Sequence, residues 1–374
     1  MRIGINALYA IPGGVGGTEI YLRGLLTGFA EIGGAHQFVV FTNRESGTDL
    51  TPAAPNFTTV PHPVRAAVRP IRLMWEQTIL PVAAARHRLD VLLNPGFTGP
   101  SLSPCPTVTT FHDLQHKRHP EYFRWWDLPF WRFFLFFSAV TSGGLIADSE
   151  ATRRDLLTYY PVPPRRISVV PLGAGDEMAA VGNSRQPDRS IPFLLCVSTL
   201  HPHKNLDRLV RAFARFRNEH REFRLVIAGM RGFYAASLDA EIRSLSLEDC
   251  VTLTGWIPRA DLLDLFRTAH ASIQPSLFEG FGIPVAESLA AGIPTACSDI
   301  EPLRDICGDA ALRFDPLDET ALYEAIRRVA LDEPLRARLV DAGPQRVSAY
   351  TWQRTSQLTL QVLERVVQRS RSSS

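Results

Sequence analysis

The sequence predicts an α/β protein made of two Rossmann-like domains that face each other across a cleft. Three observations predict it. Short apolar runs alternate with helical patterns along the whole chain, which is the mark of mostly parallel sheets. Between residues 177 and 192 the alternation lapses into a polar stretch containing Gly182, Asn183 and Pro187. Beyond it the alternation starts again, so two similar halves are joined by one linker. The length, 374 residues, suits two domains at about 100–200 residues each.

Taken in order, the first half (1–176) reads as strands at Arg2–Asn6, Gln37–Thr42, Phe57–Val60, Val91–Asn94, Thr107–Phe111, Leu145–Asp148 and Ile167–Pro171. Helical patterns lie between most of them, including Thr18–Ile32 and Ser149–Tyr160. The second half (193–350) opens with a strand at Phe193–Val197 and a helix at Asn205–Phe216. Strands follow at Phe223–Ala228, Val251–Thr254, Ala271–Gln274, Pro294–Cys297 and Leu312–Phe314, with helices between. Residues 351–374 are expected to form a C-terminal helix that returns to the N-terminal domain. Its end, Arg369 to Ser374, reads as a disordered tail.

Composition removes several classes. With 45% hydrophobic and 21% charged residues, the chain is neither disordered nor a charged coiled coil. A net charge of +2 is too small to point to nucleic acid as a partner. Of the 40 basic residues only Lys117 and Lys204 are lysines, a bias that reflects codon usage rather than a basic patch. The five cysteines (Cys105, Cys196, Cys250, Cys297, Cys307) are odd in number and lack a Cys-x-x-Cys pair. That argues against a disulfide framework or a zinc site and for a reducing compartment. Met1–Asn6 already reads as a strand, so no signal peptide is expected. The apolar stretch Trp125–Ile146 holds Asp127, Pro129, Arg132 and a Gly143-Gly144 break, poor company for a membrane-spanning helix. A soluble, cytoplasmic protein is the expectation.

After the first strand comes Ile11-Pro-Gly-Gly-Val-Gly-Gly17, then a helix. Glycines let backbone N–H groups approach a ligand, and a helix N-terminus favours an anion. The dinucleotide fingerprint is absent, because the loop is longer and the second strand ends Phe41-Thr42-Asn43 without an acid. His112, in Thr110-Phe-His-Asp113, stands at a strand end on the ligand side of such a fold. His116 and His119 follow at ligand-like spacing only if the segment is helical, which Pro120 opposes.

In the second half, Ser198-Thr-Leu-His-Pro-His-Lys204-Asn205 places Lys204 at a helix start, unfavourable for a cation unless an anion binds there. Next, Pro275-Ser-Leu-Phe-Glu279-Gly-Phe-Gly282-Ile-Pro284 runs from a strand end through a glycine turn into a helix carrying Glu287. Two carboxylates so spaced suit hydrogen bonds to several hydroxyls of one polyol.

The segment Glu279-Gly-Phe-Gly-Ile-Pro and Glu287-Ser-Leu-Ala-Ala-Gly resembles the Glu-x7-Glu motif of family 4 retaining glycosyltransferases of the GT-B fold. The resemblance covers nearly the whole chain. It takes in the first glycine loop, Trp75-Glu76-Gln77, His112-Asp113, Asp148-Ser149-Glu150, Lys204-Asn205-Leu206, Gly255-Trp256 and Thr351-Trp352. It implies transfer of a sugar from a nucleotide-diphosphate donor, with retention of anomeric configuration and without metal or other cofactor. No Asp-x-Asp occurs, which fits.

By this resemblance His112 and Glu279 are the catalytic candidates, His112 hydrogen-bonding the sugar near its anomeric carbon and Glu279 contacting the donor sugar. Gly16, Gly17, Thr199, Lys204, Gly280, Phe281, Gly282, Ile283 and Glu287 form the donor-binding set, with Glu287 on the ribose. Lys204, the helix N-terminus at Gly282–Val285 and the Gly16–Gly17 amides would stabilise the departing diphosphate. The resemblance also implies that the leaving phosphate takes the acceptor's proton. One position departs: many relatives carry Arg where this chain has Thr199, so His203 or Arg231 is expected to supply that charge.

The leading expectation is a hexosyltransferase, best matched to the polysaccharide mannosyltransferase branch, with GDP-mannose as donor and a UDP-sugar such as UDP-glucose as runner-up. The acceptor would be a glycan or lipid-linked, on the side of the N-terminal domain. A GT-B nucleotide-sugar epimerase and a silent sugar-nucleotide-binding protein are the alternatives. The aromatic segment Phe123–Phe137 reads as a buried helix, or else as an interfacial surface giving peripheral contact with the inner face of a membrane.

Overall fold

The computed structural model describes every residue from 1 to 374 except 15, 124, 175, 189 and 374. The chain divides into two compact units, Met1–Gly173 with Trp352–Ser374, and Ala174–Thr351.

The first unit runs β1 (Arg2–Asn6), α1 (Gly17–Ile32), β2 (Gln37–Thr42), β3 (Phe57–Pro61), α2 (Arg69–Arg86), β4 (Val91–Asn94) and β5 (Thr107–Phe111). It continues with α3 (Gln115–Arg118), α4 (Leu128–Thr141), β6 (Gly144–Ala147), α5 (Glu150–Tyr159) and β7 (Ile167–Val169). The second unit runs α6 (Asp176–Asn183), β8 (Phe193–Val197), α7 (Leu206–Glu219), β9 (Arg224–Ala228), α8 (Ala235–Ser244), β10 (Val251–Gly255) and α9 (Arg259–Thr268). Then come β11 (Ala271–Gln274), α10 (Ile283–Ala290), β12 (Thr295–Ser298), α11 (Glu301–Cys307), β13 (Leu312–Phe314), α12 (Glu319–Leu331) and α13 (Glu333–Val347). The chain returns to the first unit as α14 (Trp352–Ser373).

The strands order as β3-β2-β1-β4-β5-β6-β7 and β10-β9-β8-β11-β12-β13, and neighbouring strands pair in parallel in both sheets. Each unit is thus an α/β sheet of the Rossmann type. Every strand read from the sequence is present within two residues. Helices cover both faces of a parallel sheet, so its strands are apolar on both sides and read as continuous runs; β4, β11 and β12 are wholly buried. Helix α7 shows the complementary pattern, burying Leu206, Leu209, Val210, Phe213 and Phe216 at helical spacing.

Three expectations need correction. Residues 177–192 are no bare linker, because most of α6 lies within them. Met178 and Val181 sink into a core with Leu195, Phe266 and Ile293, and Arg185 donates to the Ala269 carbonyl at 2.8 Å. The tail is helical through Ser373: Arg369 donates to the Arg165 carbonyl at 3.2 Å and Arg371 to Asp90 at 3.1 Å. Ser374 lies outside the described residues. Helix α4 is not buried; only Leu135, Ser138 and Ala139 are, while Phe130, Phe133 and Phe136 are exposed. Among the described residues no helix is long and apolar enough to cross a membrane.

Helix α14 docks on α1 through glycines. A Cβ on Gly24 would lie 2.1 Å from Trp352, and one on Gly28 would lie 2.2 Å from Ser356 Oγ. The approach is sealed by hydrogen bonds from Ser356 Oγ to the Leu25 carbonyl (3.2 Å) and from Thr355 Oγ1 to the Pro171 carbonyl (2.8 Å).

Candidate active site

In the second unit the predicted residues gather at the C-terminal ends of β8 and β11. The chain leaving β8 makes a 3₁₀ turn at Pro202–Lys204 and then a left-handed residue, Asn205 (φ 57°). Asn205 Nδ2 donates to the carbonyls of Pro275 (3.0 Å) and Pro316 (2.9 Å), and the Leu277 N–H donates to the His203 carbonyl at 2.7 Å. The Lys204 turn is therefore stitched to the loop after β11. Across that seam Lys204 Nζ donates to Glu279 Oε1 at 2.7 Å, and Ser276 Oγ donates to the same oxygen at 2.7 Å.

Gly280, Phe281 and Gly282 complete the loop. Phe281 is buried, its ring edge-on to Tyr350 at 5.9 Å. Gly282 caps α10 with φ 113°, and a Cβ there would lie 2.3 Å from Leu303, so only glycine makes this turn. Ile283 and Pro284 open α10, whose first turn carries no acidic residue. The arrangement offers an anion a helix N-terminus and an adjacent ammonium.

Glu287 lies one turn into α10, but it is 2% exposed rather than presented on an open face. Its partner is one that the sequence reading missed: Arg259 Nη2 donates to Glu287 Oε1 at 2.7 Å, and Arg259 Nε donates to Glu177 at 2.7 Å. Burial pushes the Glu287 carboxyl above its ordinary value, and the Arg259 guanidinium pulls against that. A signal was available. Arg259 is the first residue of α9, where the helix dipole disfavours a cation, just as it does beside α7 at Lys204.

Thr199 sits in the turn after β8, against which Gly229 (φ 151°) closes; a Cβ on Gly229 would lie 2.2 Å from the Ser198 carbonyl oxygen. Arg231 is engaged by Asp239. His203 meets His201 with 2.5 Å between their Nδ1 atoms. Burial pushes His201 down to about 4, so its ring is neutral at ordinary pH.

In the first unit His112 follows β5. Its Nδ1 is 2.6 Å from Asp148 Oδ2, and its Nε2 donates to the Pro95 carbonyl at 2.8 Å. Tyr21 and Phe97 stand edge-on to the ring at 4.8 and 5.0 Å. Burial alone would lower the His112 pKa, but Asp148 and the Pro95 carbonyl outweigh it and raise it. His116 instead hydrogen-bonds Tyr160 (2.8 Å) and His119 pairs with Glu121 (3.0 Å), so the three histidines do not converge.

Gly16 caps α1 with φ 58° and Gly17 is its first residue. In that loop the Gly13 N–H donates to Glu19 Oε2 at 2.8 Å; Val15 lies outside the described residues. Glu76 is a structural acid, accepting from Arg72 and Thr98 at 2.8 Å each. A cavity of about 830 Å³ lined by Arg165, Arg166 and Arg369 lies before β5 and β6, at the opposite strand ends from His112.

Two parallel sheets with charged side chains collected at strand C-termini define an α/β protein of the doubly wound class, a fold whose ligands bind at those strand ends. The particular family follows from comparison: the chain belongs to the family 4 glycosyltransferases. The family described as Glycosyltransferase Family 4 matches residues 15–177, and that described as Glycosyl transferases group 1 matches residues 183–346. The O-antigen chain mannosyltransferase B of Escherichia coli is 26% identical over 265 residues, 68% of this chain and 68% of that protein. The MMP alpha-(1->4)-mannosyltransferase of Mycolicibacterium hassiacum is 30% identical over 276 residues, 70% of this chain and 66% of that one. The crystal structure of Anabaena HepE in complex with UDP-glucose shares the fold (TM-score 0.73, 16% identity, 97% of this chain and 99% of that one).

Proposed function

We propose that this glycosyltransferase moves a hexosyl group, mannosyl from GDP-mannose, to a glycan or lipid-linked acceptor with retention and without metal. The observation that carries the reading is the meeting of Lys204 and Glu279 beside the start of α10. A cation, a helix N-terminus and a carboxylate within one loop pair suit a diphosphate joined to a sugar. Lys204 and the first amides of α10 stabilise charge on the departing diphosphate, Glu279 holds the sugar and Glu287 holds the ribose. The acceptor oxygen bonds to the anomeric carbon as the diphosphate leaves, and the phosphate oxygen takes the acceptor's proton. His112 donates from Nε2 to the sugar, exchanging its hydrogen bond to Pro95. The diphosphate sugar is the substrate, and no further cofactor is called for.

The mannosyltransferase names of the two relatives favour mannose. UDP-glucose in the HepE structure favours the second reading, a UDP-hexose donor. In either case the enzyme works where nucleotide sugars are made, in the cytoplasm, with peripheral contact at the inner face of the membrane.

A thermal-shift panel of GDP, GDP-mannose, UDP and UDP-glucose, with and without chelator, tests this. Ligand at 100 times its dissociation constant adds about 2.7 kcal/mol to stability. Stabilisation by the guanine pair, unchanged by chelator, is the expected result. Stabilisation by neither pair would sink the reading.

A further inference from the structure

Helices α2 and α4 carry outward-facing side chains that water-facing helices seldom do. On α2, Ile71, Met74 and Val82 are 56%, 60% and 48% exposed. With Thr78 and Ala85 they follow helical spacing down one side. The charged Arg72 and Glu76 point the other way, buried and paired at 2.8 Å. On α4 the exposed large apolar residues are Phe130, Phe133 and Phe136, and Trp125 and Trp126 just before it are 79% and 56% exposed.

The two helices lie side by side. The Arg69 guanidinium stacks over the Trp131 ring at 4.7 Å. Further along, Gln77 Nε2 donates to the Gly99 carbonyl (2.9 Å), while the Gly99 N–H donates to Ser138 Oγ (3.1 Å). Residues 69 and 77 thus match 131 and 138 in the same order, so both helices run the same way and present their exposed apolar residues in one region of the first unit. An apolar patch of this kind marks an interaction site.

Its border selects the partner. Within residues 65–88 and 117–137, Arg65, Arg69, Arg86, Arg88, Lys117 and Arg132 outnumber Glu121 and Asp127, with Arg72 and Glu76 paired to each other. A second copy docking by two-fold symmetry would bring like charges together. A bilayer with anionic headgroups supplies the opposite charge, with tryptophan at the headgroup level and phenylalanine below it.

We infer that the α2–α4 face docks on the surface of an anionic lipid bilayer. The inference rests on the reading above that the acceptor is met at a membrane, and it names the surface and the lipid chemistry. The full chain is sedimented at low salt with vesicles of phosphatidylcholine alone and of phosphatidylcholine mixed with phosphatidylglycerol. Binding to the mixed vesicles is expected. Met74→Asp combined with Phe133→Asp should weaken it by about tenfold or more, with melting temperature and nucleotide-induced stabilisation unchanged. Should that variant misfold, Met74→Ser with Phe133→Ser asks the same question. Failure to bind the mixed vesicles, equal binding by the variants, or a dimer that the variants dissolve would each overturn the inference. Nucleotide stabilisation measured on the same samples stands or falls separately and reports on the donor site alone.

Discussion

Lys204 Nζ lies 2.7 Å from Glu279 Oε1, joining two side chains 75 residues apart in the chain. Both are largely shielded, at 17% and 15% side-chain exposure, so the attraction is screened less than at an open surface. In the proposed reaction the pair would preset two donor-facing groups of opposite charge. On that proposal an arriving diphosphate would compete with Glu279 for the ammonium, while the Ser276 hydroxyl, 2.7 Å from the same oxygen, would hold the carboxylate.

The two glutamates are expected to differ in what they hold. Ribose is shared by the free nucleotide and the intact donor, whereas the sugar belongs to the donor alone. A hydrogen bond to a charged group contributes about 1.5–3 kcal/mol net, roughly 10- to 150-fold in affinity. Glu287→Gln should weaken nucleotide and donor alike. Glu279→Gln should spare the nucleotide and reduce donor affinity, turnover or both. Calorimetric titration of each variant with each ligand decides, and equal loss of nucleotide affinity in both variants would remove Glu279 from the sugar.

Arg259 is expected to keep the buried Glu287 ionised. In Arg259→Ala nothing offsets the upward push of burial, so the carboxyl stays protonated to higher pH. Nucleotide affinity should then climb with pH over a range that lies higher in the variant than in the wild type. Arg259→Lys should restore most of it. Titrations at several pH values read this directly; a flat profile in Arg259→Ala would make the arginine a surface contact only.

Much of this was legible in the sequence, for physical reasons. Parallel strands buried on both faces announce themselves as apolar runs, and a glycine at φ 113° before Pro284 leaves little choice but a turn into a helix. Lys204 and Glu279 each stood out, yet their meeting did not, because Asn205 and the Pro275 and Pro316 carbonyls set it through tertiary contacts. Arg259 carried no motif and was lost among the arginines. Helix α6 was hidden because Met178 and Val181 alone mark its apolar side. The exposure of α4 was legible only as the alternative reading, since a helix apolar on most sides reads first as buried.

Gly24 is expected to be a site where improved helix propensity destabilises. Glycine in a helix costs about 0.5–1 kcal/mol relative to alanine. Gly24→Ala should nonetheless lower the melting temperature, because its Cβ would meet Trp352 at 2.1 Å. Overpacking of this kind costs about 1–3 kcal/mol, a few degrees for a domain of this size. Gly34, with nothing within 4 Å of an added Cβ, is the control and should tolerate alanine. Calorimetric melts compare the two, and an unchanged Gly24→Ala midpoint would mean that α14 is not seated on α1 this way.

His112 and Asp148 should give this protein a pH dependence of predictable sign. The Pro95 carbonyl can only accept, so Nε2 keeps its proton, and Nδ1 faces a carboxylate at 2.6 Å. The folded-state pKa of His112 is therefore raised although burial opposes it. A raised folded pKa contributes stability in full below the unfolded value of about 6.5, and that contribution is lost as pH rises through the folded value. Asp148→Asn removes the largest cause that opposes burial, leaving only the Pro95 carbonyl and Asp113 against it, so the pKa should fall. The stabilisation present below about pH 6.5 should therefore be smaller in the variant than in the wild type. NMR titration of the histidine ring protons gives both pKa values, and denaturant melts across that range give the slopes. Turnover adds an independent reading. His112→Ala should lower it by about 10²–10³-fold with donor affinity nearly intact, as expected for a hydrogen bond made at the reacting centre. Asp148→Asn should move the alkaline limb of the turnover profile to lower pH, because the imidazolium then persists over a narrower range. A wild-type His112 that titrates below its unfolded value, or turnover indifferent to His112→Ala, would leave the ring as a strut between β5 and β6 and nothing more.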